Sequence, residues 1–410
     1  MIELLAQENM TEATRKSGLF ERLLHRMARR VLAFTPEGGA IAELPSGQRY
    51  SFGDTESHNT PVIKLNNYAV LRKAMLRGKL GFAESYMAGD IEISDLTALF
   101  RFFLRNEDRF AEAGRSFFKV RLPDRLFHKR RHNSRKNSRR NISAHYDLSN
   151  AFFALWLDPR MIYSSALYED QDETLDEAQR NKIARIIELL DIRPGHNVLE
   201  IGCGWGALAR QIAIEGRAHV TGITLSREQL VHCRDEAERL EIPDKCIFRI
   251  EDYRETEGTF DRIVSIEMIE AVGEEYWPEY FATLRDRLAP EGAAVIQAIT
   301  MAEEHYDAYR NGTDFIQRYI FPGGMLPTEK AIRTHAEAAG LVIDHAESFG
   351  SSYAQTLREW RRRFEEAWPK IEKLGFDNRF RRLWRYYLTY CEAGFEEGVI
   401  DVGLYRLRRA

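Results

Sequence analysis

Between residues 141 and 410 the apolar positions switch repeatedly between two spacings. Leu175 to Leu190 carries its apolar residues at helical intervals and leads through Pro194-Gly195 into the short apolar run Val198 to Ile201. Ala207 to Ile214 returns to helical spacing, Val220 to Thr224 reads as a strand, Arg227 to Leu240 as a helix, and Ile247 to Ile250 and Phe260 to Ser265 as further strands. A helix running to Leu288 and a strand from Ala293 to Ile299 follow. Strands alternating with helices predict a doubly wound, mostly parallel sheet that takes its ligand at the carboxyl ends of the strands. Beyond it, Gln355 to Gly375 and Asp377 to Gly398 read as two long helices rich in Trp, Tyr and Arg, and Val399 to Leu407 as a closing strand. Tyr387, Cys391 and Phe395, spaced i, i+4, i+8, share one face of the second helix.

The first 140 residues have a different rhythm. Thr11 to Phe34 places Leu19, Phe20, Leu23, Leu24, Met27 and Val31 on one helical face, with basic residues around the others. Such a helix can lie on an anionic membrane, but packing on its own domain is the favoured reading. Turn signals at Pro36-Glu37-Gly38-Gly39 and Pro45-Ser46-Gly47 predict β-hairpins, and two or three helices follow from Tyr68 through Leu104. These shifts divide the chain into a smaller α+β N-terminal domain (1–114), a linker (115–140) and an α/β domain (141–410).

Charge changes the picture at the linker. The net charge of -4 hides a run of eleven Lys and Arg residues from Arg115 to Arg140, with no apolar periodicity past Phe127. It reads as an exposed segment suited to anionic lipid headgroups, at about 1 kcal/mol per basic residue near a charged bilayer. A merely solvated linker is the bland alternative. A nucleic-acid partner is not expected, because no aromatic platform or recognition motif accompanies the charge. With 44% hydrophobic and 30% charged residues the chain has the balance of a globular protein. Cysteines 203, 233, 246 and 391 fall at no metal-ligand spacing, so no metal is expected, and so few suggest a reducing compartment. No run approaches the roughly 20 apolar residues of a membrane span. The expected location is cytoplasmic, peripherally associated with the inner face of the membrane.

The candidate chemistry centres on Glu200-Ile201-Gly202-Cys203-Gly204-Trp205-Gly206. Glycines 202, 204 and 206 remove Cβ atoms at a strand-to-helix turn, so that backbone N–H groups can lie against a flat or anionic ligand. A dinucleotide site would want a ribose-binding acid at the end of the second strand. That strand ends instead in Thr224-Leu225-Ser226. Glu-x-Gly-x-Gly-x-Gly followed by a hydroxyl-bearing strand resembles an S-adenosylmethionine-dependent methyltransferase. Asp252, after the third strand, is placed to bond an adenine amino group or to cap a helix.

Asn141-x-x-x-His145-Tyr146-Asp147-Leu148-Ser149-Asn150, Tyr163-Ser164, the glycine turn, Gly222-Ile223-Thr224-Leu225-Ser226, Tyr319-Ile320-Phe321-Pro322-Gly323-Gly324 and Tyr386-Tyr387-Leu388-x-x-Cys391 together resemble the cyclopropane-fatty-acyl-phospholipid synthase and mycolic acid methyltransferase family. Gly78 to Gly89 resembles that family's N-terminal lipid-binding domain. The resemblance implies a class I methyltransferase, Rossmann-like fold. It also implies methyl transfer from S-adenosyl-L-methionine to a cis double bond in an acyl chain of a membrane phospholipid. Tyr163, Ser164, Glu200, Gly202, Cys203, Gly204, Gly206, Thr224, Gln229, Asp252 and Tyr253 are then the expected cofactor residues. Cys391 matches the cysteine usually assigned to the active site, and its apolar surroundings suggest a packing or substrate-facing thiol.

In that family a bicarbonate ion acts as base. Its pocket here would comprise Ser165 in place of a Cys, Glu270, Ala271 in place of a His, Gln297 in place of a second His, Ile299 and Tyr353. Gln297 can donate to an anion but cannot carry a proton away as His does. The expected product is therefore a methyl-branched unsaturated chain, by proton loss from the chain, or a cyclopropane, by loss from the new methyl. A non-catalytic lipid carrier and a nucleic-acid methyltransferase are the competing classes. The intact glycine turn speaks against the first, and Ser265-Ile266-Glu267-Met268 lacks the base-holding pattern of the second. A homodimer through the N-terminal domain is a further expectation, which a monomeric sedimentation profile would overturn.

Overall fold

The computed structural model describes residues 37–56, 59–107 and 148–410. The 11–34 helix, the basic linker and the Asn141 to Asp147 segment lie outside the described residues. Contacts divide the chain into two compact units, one within residues 1–119 and the other within 120–410.

In the first unit β1 (Gly39–Glu43) and β2 (Arg49–Gly53) form the hairpin that the Pro45-Ser46-Gly47 turn predicts. β3 (Val62–Leu65) adds parallel to β1, and β4 (Ile91–Ile93), which the pattern did not reveal, closes the order β2-β1-β3-β4. Between them α1 (Ala69–Ala88) is kinked at Gly78, whose φ of 55° lies outside helical space. α2 (Leu96–Arg105), capped by the Asp95 side chain, lays Leu99 and Phe102 on the sheet beside Ala40.

The second unit opens with α3 (Asn150–Phe153) and α4 (Leu175–Leu190), the latter started by a capping box between Thr174 and Glu177. The α/β core then runs β5 (Asn197–Ile201), α5 (Ala207–Glu215), β6 (His219–Thr224), α6 (Arg227–Arg239), β7 (Cys246–Ile250) and β8 (Phe260–Ile266). After it come α7 (Ile269–Val272), α8 (Trp277–Arg287) and β9 (Leu288–Met301). The single helix expected before Leu288 is thus broken at Gly273, where φ is 88°. α9 (Glu303–Asn311), α10 (Phe315–Tyr319), α11 (Glu329–Ala338) and β10 (Leu341–Ser348) follow; apart from the 319–324 motif, the pattern did not assign this region. α12 (Gly350–Lys373), α13 (Asn378–Glu396) and β11 (Ile400–Arg409) complete the chain as expected.

The sheet order is β10-β11-β9-β8-β5-β6-β7, with β9, β8, β5, β6 and β7 parallel and β11 and β10 antiparallel. This is the Rossmann-like, doubly wound methyltransferase sheet that the alternation and the resemblance imply. β5 is the middle one of the five parallel strands, fully buried from Val198 on, so the glycine turn opens at the middle of their carboxyl edge. Among the described residues no helix is long and apolar enough to cross a membrane.

Candidate active site

The glycine turn leaves β5 with three left-handed residues, Gly202 at φ 78°, Gly204 at 52° and Gly206 at 75°. Side chains strongly disfavour that region, which explains why glycine recurs at alternate positions. A Cβ at Gly206 would stand 2.9 Å from Cys233 Sγ and 3.0 Å from the Phe248 ring, so the turn packs directly on α6 and β7. A Cβ at Gly204 would meet nothing within 4 Å, so that stretch of backbone borders open space. At the end of β6, Thr224 Oγ1 donates to Gln229 Oε1 at 2.7 Å, both buried. Buried Glu200 keeps Oε2 without a hydrogen-bond partner among the described residues, and burial pushes its carboxyl up to about 8. A cradle bordered by open space, flanked by an acid with one oxygen unpartnered, fits a nucleoside-bearing cofactor. Tyr253 is buried beside it, while Cys203 is a buried thiol whose proton is held by its neighbour Cys233 and by burial.

Asp252, expected to bond an adenine amino group or to cap a helix, is held by Arg254. Both of its carboxylate oxygens accept from the Arg254 guanidinium, at 2.9 and 2.7 Å, and Oδ1 also takes the Arg254 N–H. The capping alternative therefore accounts for its orientation. Arg254 in turn lies over the rings of Tyr253 and Tyr276.

On the opposite wall α4 grips the segment that carries Tyr163, Ser164 and Ser165. Gln179 Nε2 donates to the Ser164 carbonyl at 3.0 Å, and the ammonium of fully buried Lys182 donates to Ser164 Oγ at 2.6 Å. Tyr163 OH bonds Tyr387 OH at 3.0 Å and its ring lies among Phe153, Trp156 and Trp360, at centroid distances of 5.2–5.7 Å. These rings form an apolar, water-excluding wall.

The anion pocket is where structure and expectation part. Glu267, which follows β8 directly, accepts from the Ser165 N–H at 2.8 Å, Gln297 Nε2 at 2.7 Å and Tyr353 OH at 2.7 Å. Three of the groups expected around a bicarbonate thus converge on a carboxylate that the sequence reading did not single out. Glu267 holds φ at 48°, an unusual value for a side-chain-bearing residue. Glu270, the expected pocket acid, instead accepts the Ile299 N–H at 2.5 Å. Ala271 offers its place in the helix turn, bonding Met268 through its backbone. The Ser165 hydroxyl turns away to its neighbour's carbonyl at 2.9 Å. The sequence signal was a carboxylate at the very end of the fourth strand, paired with loss of the His at position 297.

Burial pushes the Glu267 carboxyl up, against the pull of its three donors and of Lys182. Lys182, itself lowered to about 8 by burial, remains a cation at neutral pH facing Glu267, Asp158 and Glu200. A reaction needing ionised Glu267 is lost as pH falls through its pKa. Lys182→Met removes a charge that lowers that pKa, so the acidic limb of the kcat/KM profile should move to higher pH. Because Ser164 also loses a donor, cofactor affinity is measured alongside; an unmoved limb would exclude the coupling.

Cys391, half-buried on α13, has its thiol pushed up by burial and by Asp314, which disfavours the thiolate. Tyr353 stacks on Phe395 at 4.5 Å on the same wall.

A family model described as mycolic acid cyclopropane synthetase matches residues 133–404. The chain is 40% identical to a tuberculostearic acid methyltransferase of Mycobacterium tuberculosis, over 83% of this chain and 81% of that one. It is 35% identical to the cyclopropane-fatty-acyl-phospholipid synthase of Escherichia coli K12, over 81% and 84%. Among solved structures, the cyclopropane synthase MmaA2 from Mycobacterium tuberculosis superposes with a TM-score of 0.62 at 31% identity, covering 66% of this chain and 97% of that one. The cyclopropane synthase CmaA1 complexed with SAH and CTAB gives 0.63 at 31% identity, covering 66% and 98%.

Proposed function

This chain belongs to the mycolic acid cyclopropane synthetase family, and from that premise we propose that it completes its reaction with a carboxylate of its own, Glu267, and releases a methyl-branched unsaturated acyl lipid. It is an S-adenosylmethionine-dependent C-methyltransferase of unsaturated fatty acyl chains, giving methyl-branched or cyclopropane lipids, and it acts peripherally on phospholipid.

The cofactor supplies an electrophilic methyl group when bound. Gly202, Gly204 and Gly206, Glu200, Thr224 with Gln229, Tyr253 and the Tyr163-Ser164 segment would hold it. An alkene is a poor nucleophile, so the protein's contribution is alignment and a dry wall, which the rings around Tyr163 supply. Glu267 then takes a proton from a carbon next to the cationic one, and the C–H electron pair becomes the new double bond.

The observation that carries this reading is the donor set on Glu267. Ser165 N–H and Tyr353 OH, both expected on a bicarbonate, are engaged by Glu267, and Ile299 N–H is engaged by Glu270. A free anion would have to displace a protein carboxylate to bind. The 40% identical relative is named for methylation, which favours the branched product over the ring. Cyclopropane formation, by loss of a proton from the new methyl to the same base, is the second reading.

Mass spectrometry with fragment localisation, on lipids from cells expressing the protein with methyl-labelled methionine, separates the two. The expected result is a gain of one methylene unit with a double bond kept or shifted. A gain with no double bond left means a ring and overturns the branched product. Absence of labelled lipid overturns methyl transfer altogether.

A further inference from the structure

The groups that hold Glu267 all donate to it, so none of them is placed to relieve it of a proton at the end of a turnover. The same is not true of what lies behind it. We propose that Glu270, Ser265, Tyr280 and Tyr253 form a buried relay that takes the abstracted proton from Glu267 to the surface at Glu279; the proposal rests on Glu267 being the base.

The path is marked by four oxygens. Glu270 Oε2, Ser265 Oγ, Tyr280 OH and Tyr253 OH are all buried, and apart from the approach of Tyr280 OH to Ser265 Oγ none has a hydrogen-bond partner among the described residues. Glu270 follows Glu267 by three residues into α7, with one oxygen on the Ile299 N–H and the other unpartnered. The Tyr280 phenol faces both Ser265 and Glu270. Its ring meets that of Tyr253 edge to face at 5.7 Å, and Tyr253 faces Glu279, an exposed residue in the first turn of α8.

The surroundings make these oxygens unusual. Tyr253 and Tyr280 stand in an apolar cluster that includes Ile201, Ile263, Ile269 and Phe281. Burying an unpaired hydroxyl or acid there is costly, and buried polar groups are nearly always hydrogen-bonded to protein or to ordered water. Bridging water would complete their hydrogen bonds and join them into one file. Burial and the charge of Glu267 hold the Glu270 carboxyl up to about 8, so it is a proton donor at neutral pH.

The balance is one proton per turnover. The substrate C–H bond breaks, its electron pair stays on carbon, and the proton resides on Glu267. Glu270 passes its own proton outward along the hydroxyls and accepts the one from Glu267, which returns to carboxylate. No oxidant or second reactant is needed.

The test uses the full-length enzyme with S-adenosylmethionine and vesicles of unsaturated phospholipid, comparing a single turnover at excess enzyme with the steady state. Tyr280→Phe removes one oxygen and keeps the ring. Its first turnover should stay within about twofold of the parent while the steady-state rate falls about tenfold and acquires a larger solvent deuterium isotope effect. Glu270→Gln should lower the steady state further. Thermal melts and S-adenosylhomocysteine affinity establish that each variant is folded and loaded. A steady state unchanged in Tyr280→Phe, or equal losses in both regimes, overturns the relay. Failure of the premise is read separately, since a Glu267→Gln variant that keeps its first turnover shows that Glu267 is not the base.

Discussion

Glu267→Gln is expected to lower methyl incorporation into lipid by about 10²–10⁴-fold while leaving S-adenosylhomocysteine affinity within about twofold of the parent. The size follows from the role. A positioned base that accepts a proton in the transition state is worth that factor, and the amide that replaces it has almost no basicity. Cofactor binding should survive because Glu267 meets the pocket through Ser165, Gln297 and Tyr353, whereas the glycine cradle belongs to β5 and α5. The amide oxygen can still receive donors, so the pocket keeps most of its hydrogen bonds.

Glu267→Ala gives the complementary reading. It empties the position towards which Ser165 N–H and Tyr353 OH point, the two donors that would hold an external anion. Added bicarbonate should then restore part of the lost activity in a concentration-dependent way, with no effect on the parent enzyme. Restoration would assign the defect to the missing base and not to a collapsed site. Full activity in Glu267→Gln would dismiss Glu267 as the base.

The same pocket shows how far the sequence was readable. The glycine strand, the alternating sheet and the two closing helices were legible because their signals are local: a period, a turn residue or a glycine at a left-handed position. The region of α9, α10 and β10 was not, since its helices are short and the inward positions of edge strand β10 include His345 and Glu347, so no apolar alternation shows. Glu267 and Glu270 are a subtler case. Both are carboxylates at the end of the fourth strand, and residue-by-residue matching selects Glu270. What turns Glu267 into the pocket is its positive φ, a backbone property that spacing does not encode. Asp252 was placed correctly on the carboxyl edge, yet its oxygens are taken by Arg254, two residues on. A charge pair this close in sequence fixes the orientation of the carboxylate, and that constraint is visible only in three dimensions.

Gly204→Val and Gly206→Val separate the two duties of the glycine turn. Both positions hold φ in the left-handed region, at 52° and 75°, so either substitution costs about 1–3 kcal/mol of backbone strain. They differ in what a side chain would meet. At Gly206 the new Cβ would press on Cys233 Sγ at 2.9 Å and on the Phe248 ring at 3.0 Å, so α6 and β7 must shift. That variant should melt at clearly lower temperature and bind S-adenosylhomocysteine poorly as a consequence. At Gly204 a Cβ finds nothing within 4 Å, so packing is spared and the branched side chain occupies the space bordering the turn. Gly204→Val should therefore keep a melting temperature nearer the parent and still lose at least about tenfold in affinity, which corresponds to 1.4 kcal/mol. Calorimetric titration and thermal melts on the same samples measure both quantities. Parent-like affinity in Gly204→Val would move the cofactor away from this turn. Equal melting temperatures for the two variants would mean that the contact with Cys233 and Phe248 yields without cost.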